Sequence, residues 1–269
     1  MRINTAVRTA AVCAIPAIFA ATAARAGSFP FDASLFPSPD SLLTDDMKNA
    51  FTKTVGLTTD FRPMEPATPL GTWIGLDFGI EVTVSKVPSD LAASLDKIGM
   101  SGLNIPILPA LRAQAHKGIT KNIDIGFGGI YYKGAGKIPQ LKLIGASLKI
   151  ALYNPDQGPT IALRGCYSIS KIMIVSTTNY SAQLLASRKM DFADPYIGIG
   201  FQYITGIIKV ELPIMGFTIT AEGTGKAMAG SAFTGVQFTV PNLGLQLTLE
   251  GGYNSGGAHG LGMKIGMGF

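Results

Sequence analysis

The side chains able to do covalent or metal chemistry are few. The chain holds two histidines, His116 and His259, and only one cysteine after residue 26, Cys166. A Ser–His hydrolase needs a histidine beside its nucleophile and a polar group to orient it. Ser168 and Ser170 qualify by residue type, but they fall on a polar strand face that points away from lipid, where such an envelope hydrolase would act. One cysteine and two separated histidines show no metal-ligand spacing. The stretch "GTGKAMAG" (223–230) resembles a phosphate loop but lacks the full spacing and the Ser or Thr after Lys. It reads as a strand end followed by a loop. The expectation is a protein that is not an enzyme and that has no cofactor and no metal.

Charge is the second kind of chemistry available. Asp77, Glu81, Arg112, His116, Asp124, Lys149, Arg164, Glu222, Glu250 and Lys264 recur on the polar sides of alternating stretches. Enclosed together, they would form ion pairs and hydrogen bonds, because an unpaired buried charge is costly. Two roles are open. The charges could satisfy one another and fill an interior, or they could line a constriction that selects solutes by charge and size.

The elements that position them alternate with a period of two. In "GTWIGLDFGIEVTVS", Ile74, Leu76, Phe78, Ile80, Val82 and Val84 share one face, with Asp77 and Glu81 on the other. Successive side chains of a strand point to opposite sides, so this is one oily and one polar face. "NIDIGFGG", "TIALRGCYSISK", "YIGIGFQY" and "NLGLQLTLEGGY" repeat the pattern. Turn signals such as "NPDQGP" (154–159), "VPN" (240–242) and "NSGGAHG" (254–260) separate the runs. Strands are predicted near 71–86, 106–117, 121–133, 139–153, 160–174, 177–189, 196–210, 216–226, 231–240, 242–253 and 260–269. Several are long enough to cross a bilayer at a tilt, which needs about 9–11 residues.

An even strand count returns both barrel ends to one side of a membrane, as bacterial single-chain barrels do. "TVGLTTDFRP" (54–63), with Val55, Leu57, Thr59 and Phe61 on one face, supplies a twelfth strand, and "MEPATP" its turn. The fold class is therefore all-β: a closed, antiparallel, up-and-down transmembrane barrel of about twelve strands, with ten admitted, carrying short N-terminal and inter-strand helices. Interfacial aromatics are expected at Trp73, Tyr131, Tyr132, Tyr153, Tyr196 and Tyr253. A helix in 88–104 is placed on the periplasmic side, where it could cap or plug the lumen.

Composition agrees. Hydrophobic residues make up 47% and charged residues 14%, against about 25% in an average protein. No run of apolar residues after residue 26 is long enough for a helical span. Residues 1–26, with Arg2, Arg8, an apolar stretch and "ARA" before Gly27, read as a signal peptide. Removing them takes away Arg2, Arg8 and Arg25, so 22 basic residues become 19 against 17 acidic ones. The basic character belongs to the signal, and no nucleic-acid partner follows from it. Residues 27–53 read as a periplasmic lead-in whose amphipathic helix (41–55), capped by Asp40 or Ser41, folds across one barrel end. The barrel itself is assigned to 54–269.

The last ten residues, "GLGMKIGMGF", carry the strictest alternation, with Leu261, Met263, Ile265, Met267 and Phe269 on one face. This ending resembles the terminal strand of bacterial outer-membrane β-barrel proteins, whose closing Phe is read by the barrel insertion machinery. Met267 stands where many such signals carry a second aromatic. The resemblance implies outer-membrane lipids and that machinery as partners and the bacterial outer membrane as the location, reached through the periplasm. The function expected first is a porin-like channel or facilitator passing an unknown small solute through a charge-lined lumen; the alternative is a closed structural or interaction barrel of the envelope without transport, and behind both stands a soluble secreted β-sandwich.

Overall fold

The computed structural model describes residues 44–86, 107–133, 141–172, 174–214, 217–240 and 242–269. Among the described residues one helix, α1 (Asp45–Thr58), precedes the sheet. The strands are β1 (Leu76–Lys86), β2 (Ile107–Gly118), β3 (Ile123–Tyr132), β4 (Leu141–Tyr153) and β5 (Pro159–Ile172). They continue as β6 (Val175–Arg188), β7 (Ala193–Ile214), β8 (Phe217–Thr239), β9 (Leu245–Asn254) and β10 (Gly260–Gly268). Each strand pairs antiparallel with its sequence neighbours, and β1 pairs with β10, so the ten strands close into a barrel. A single closed sheet is not a sandwich.

Closure is well registered. Glu81 stands opposite Lys264, and Leu76 and Phe269 exchange backbone hydrogen bonds of 3.0 and 2.8 Å. Outside, the Phe78 and Phe269 rings meet at 5.9 Å. Closure pairs every strand, which removes the open edge that lipid cannot hydrate.

The strand faces sort by polarity in the inverse of a soluble protein. On β5, Thr160, Ala162, Arg164, Cys166, Ser168 and Ser170 are buried while Ile161, Leu163, Tyr167 and Ile169 are exposed. On β10, Leu261, Met263, Ile265, Met267 and Phe269 are all exposed on the outer face. Tyr131, Tyr153 and Tyr253 also face out, and Trp73 is 93% exposed. Tyr196 departs from the expected aromatic belt: it is buried inside, and its hydroxyl donates to Glu250 Oε2 at 2.8 Å.

Three elements differ from the sequence reading. Residues 54–63 are not a strand: α1 continues to Thr58, and the chain beyond runs extended inside the barrel. The barrel strands thus begin at Leu76. The two strands expected at 216–226 and 231–240 are one strand, β8, of 23 residues, with "GTGKAMAG" in its middle. Its Gly225 faces α1 where a Cβ would collide with Thr52 and the Lys48 carbonyl, so that glycine serves close packing rather than a turn. Without a strand at 54–63, the connection between β1 and β2 moves to the end opposite the barrel termini. The helix expected at 88–104 lies outside the described residues.

Helix α1 is capped by Thr44, four residues past Asp40 and three past Ser41: Met47 N donates to Thr44 Oγ1 at 3.4 Å. Asp45 and Asp46 suit the positive end of its dipole. Met47, Phe51 and Leu57 are buried, and the helix lies against the inner faces of β5 to β8, with Thr52 at Gly206 and Gly225, Gly56 at Ile204 and Leu57 clustered with Ile204 and Ala229. The chain then enters β1 through Gly71 (φ 83°) and Gly75 (φ 47°), left-handed positions that disfavour any side chain.

The ring of Phe61 occupies space left by Gly128 and Gly145 on the facing wall, where an added Cβ would overlap it. Gly145→Leu should therefore destabilise the folded protein by about 1–3 kcal/mol through overpacking. Pairing it with Phe61→Ala should return most of that loss in thermal unfolding of the detergent-solubilised protein.

Candidate functional site

A barrel of eight strands is about the size that inward side chains can fill, and larger barrels leave room for more. Here the extra space is taken by the protein's own chain. Residues 59–75 run from the mouth holding α1 to the opposite mouth, where β1 begins. Their path is marked by hydrogen bonds at successive depths. Thr59 Oγ1 bonds Ser170 Oγ at 2.7 Å, and Phe61 N donates to Ser168 Oγ at 3.4 Å. Arg164 Nη1 donates to the Pro63 carbonyl at 2.7 Å, and Lys149 Nζ donates to the carbonyls of Pro66 and Thr68, both at 3.1 Å. Lower still, Thr68 N donates to Ser187 Oγ at 3.2 Å and Leu70 N to Asp124 Oδ2 at 3.1 Å. The segment pairs with no strand, so its backbone groups need these side chains. Pro63, Pro66 and Pro69 reduce that need, since proline has no N–H to satisfy.

Charge is paired along the same path. Glu65 is the centre: its carboxylate lies 3.4 Å from Lys149 Nζ, 3.7 Å from His116 Nδ1 and 3.9 Å from Arg164 Nη1. Lys149 also reaches Asp124 at 3.1 Å. Lys264 Nζ bonds Asp77 at 2.9 Å, and His116 Nδ1 lies 3.4 Å from the same carboxylate. Arg112 joins Glu81 to the backbone carbonyl of Asp60. The Asp60 carboxylate accepts from Gln202 Nε2 at 2.5 Å. Arg62 pairs with Glu250 at 2.8 Å and sits over the Phe233 ring, 4.9 Å from its centre.

Six carboxylates (Asp60, Glu65, Asp77, Glu81, Asp124 and Glu250) thus share the interior with Arg62, Arg112, Lys149, Arg164, Lys264 and His116. Taking charges out of water costs several kcal/mol each, and only good pairing compensates. The luminal segment supplies Asp60, Arg62 and Glu65, so it takes part in the pairing of the wall's charges.

Nine of the ten residues expected to line the lumen are buried there: Asp77, Glu81, Arg112, His116, Asp124, Lys149, Arg164, Glu250 and Lys264. Glu222 is on the outer face instead, half-exposed and 2.9 Å from Lys209. Small residues on both sides of "TITAEGTGKAMAG" left the phase of that stretch open, and a shift of one residue exchanges the faces. Ser168 and Ser170 hold the luminal segment. His259 stacks on Tyr253 with centroids 4.8 Å apart. Among the described residues no group of three or more His, Cys, Asp or Glu is placed to hold a metal ion.

Asp60 and Arg62 escaped the sequence reading because 54–63 reads as a strand, and Glu65 because "MEPATP" reads as the turn after it. The signal that marks them is three prolines at a spacing of three through a charged stretch, which suits an extended chain outside any ladder.

No protein-family model matches the sequence, and no curated protein matches it. Solved structures with a likeness include the N-terminal β-barrel domain of Pseudomonas aeruginosa OprF, at 13% identity and a TM-score of 0.33, covering 72% of this chain and 97% of that one. Neisserial surface protein A aligns at 9% identity and a TM-score of 0.31, with coverages of 72% and 97%. Acinetobacter baumannii outer membrane protein Omp33 aligns at 7% identity and a TM-score of 0.30, with coverages of 72% and 98%. The barrel assignment rests on the strand pairing of this chain itself.

Replacing Glu65 by Gln keeps the shape but leaves Lys149 and Arg164 without their shared anion. Chemical unfolding should show a loss of about 3–5 kcal/mol. Glu222→Gln, which removes an exposed pair, should change stability by less than about 1 kcal/mol.

Proposed function

We propose that this protein is a bacterial outer-membrane barrel closed by its own N-terminal segment, serving as a structural or interaction component of the envelope rather than as an open pore. The observation that carries the reading is the threading of residues 59–75 through the full lumen, with the wall's charges paired to it. A solute path would require that segment to leave, breaking the Glu65, Arg62 and Asp60 contacts together.

Membrane insertion is supported by the inverted polarity of the wall. Alternate outward residues of nearly every strand are large and apolar, including Ile197, Ile199 and Phe201 on β7 and Leu245, Leu247 and Leu249 on β9. A soluble protein rarely exposes so continuous an apolar surface. The expected partners are outer-membrane lipids and the insertion machinery, reached after removal of residues 1–26. Orientation follows from connection length. At the end holding the barrel termini, β2–β3, β4–β5, β6–β7 and β8–β9 are joined by four or five residues; at the other end β5–β6 and β7–β8 are joined by two, β9–β10 by 255–259, β3–β4 by 133–140 and β1–β2 by the longest connection, 87–106. Periplasmic turns are short and extracellular loops longer. Helix α1, whose Thr44, Asp45 and Asp46 are exposed, then occupies the outer mouth instead of the periplasmic side expected for 27–53.

The mature protein in a planar bilayer should show no steady conductance, and deletion of residues 44–70 should produce one. Steady conductance from the intact protein would overturn the closed reading. For orientation, Asp46→Cys should react with a membrane-impermeant thiol reagent on intact cells, and Asp156→Cys at the opposite rim only after the outer membrane is breached.

A further inference from the structure

We propose that the outer face of β3, β4 and β5 at the rim away from the barrel termini is a binding site for the phosphorylated headgroup of a membrane lipid, held by Lys142 and Lys171 with Lys133 beside them. The proposal rests on the membrane reading above. Lys142 and Lys171 are direct cross-strand partners, and both are exposed on the outer face. Like charges placed directly opposite on a sheet repel each other. Other cations have carboxylate partners: Lys264 has Asp77, Arg112 has Glu81 and Lys209 has Glu222. These two do not. Among the described residues neither lysine has a hydrogen bond or ion pair. Strands β3 to β6 contain one acid, Asp124, and it points inward at the other end.

The height of the pair fits a headgroup. Below Lys142 the outward residues of β4 are Ile144, Ala146, Leu148, Ile150 and Leu152, and below Lys171 those of β5 are Ile169, Tyr167, Gly165, Leu163 and Ile161. From Lys142 to Tyr153 is eleven residues. With a rise of about 3.3 Å per residue and a tilt near 40°, this spans roughly 28 Å, close to the ~25 Å apolar band of such barrels. The ammonium groups therefore stand where the hydrocarbon ends and phosphate begins. Tyr131, opposite Lys142 on β3, is 62% exposed and supplies an interfacial ring. At the other rim the exposed cations Lys121, Arg188 and Lys189 are accompanied by Asp156, Asp191 and Asp194, and Lys117 donates to the Ile74 carbonyl. A basic pair without acids at one membrane boundary fits an anionic lipid in that leaflet.

The test uses the mature protein folded in zwitterionic detergent and titrated with phosphatidylglycerol, phosphatidylcholine or inorganic phosphate, with the thermal midpoint as the readout. Phosphatidylglycerol should raise the midpoint and the other two should not. The double variant Lys142→Gln/Lys171→Gln should bind phosphatidylglycerol about 10- to 30-fold more weakly. Lys121→Gln/Lys189→Gln, at the opposite rim, should bind it unchanged. Equal binding by both double variants would overturn the site, and an equal response to inorganic phosphate would overturn its assignment to a lipid. Folding is checked separately by heat-modifiable migration. A barrel that folds and inserts yet does not tell these lipids apart loses only the lysine site. A chain that stays folded and soluble without detergent loses the membrane reading itself.

Discussion

A charge held away from water must meet its opposite, and that requirement organises this protein. The outer face is apolar, so the polar face turns inward, and with it turn Asp77, Glu81, Arg112, Asp124, Lys149, Arg164, Glu250 and Lys264. Ten strands enclose more space than these side chains fill. Water could solvate them, as in an open pore. The chain instead sends its own residues 59–75 through the space, with Asp60, Arg62 and Glu65 placed among the wall charges. Lys149 shows the logic at one atom: its ammonium meets Glu65, Asp124 and two segment carbonyls, so wall and plug share one cation.

The glycines gain a meaning from the same constraint. Inward positions such as Gly128 and Gly145 would suit a wide, featureless channel. In the folded protein they are the recess for Phe61, and Gly206 and Gly225 form the one for Thr52 of α1. Small wall residues thus let a second layer of chain approach the sheet closely. The same fit gives α1 a defined seat, with Gly56 of the helix against Ile204 of β7.

Most of the barrel was legible because period-two alternation is a direct consequence of strand geometry, and β1 to β7, β9 and β10 fall close to the runs read from it. Inward charge was legible for the same reason. What the pattern hid were places where two periods coincide. Val55, Leu57, Thr59 and Phe61 alternate as a strand would, while Met47, Phe51, Thr54 and Leu57 follow helical spacing, and a short window does not separate the two. Packing decides: as a helix the segment buries Met47, Phe51 and Leu57 and sets Thr52 and Gly56 against the wall. "GTGKAMAG" was misleading in the opposite sense, since glycine marks both a turn and a close approach. Glu65 could not be ranked above other exposed-looking acids, because its importance comes from Lys149, Arg164 and His116, which are 51 to 99 residues distant in sequence.

The native cysteine tests whether the lumen is filled. Cys166 lies on the inner face of β5 between Ser168, which binds Phe61 N, and Arg164, which binds the Pro63 carbonyl. It is therefore directly behind the segment. A small charged methanethiosulfonate reagent added to the folded, membrane-inserted mature protein should fail to modify Cys166 until the protein is unfolded. Modification of Cys166 in the folded barrel at the rate of an exposed thiol would contradict the account.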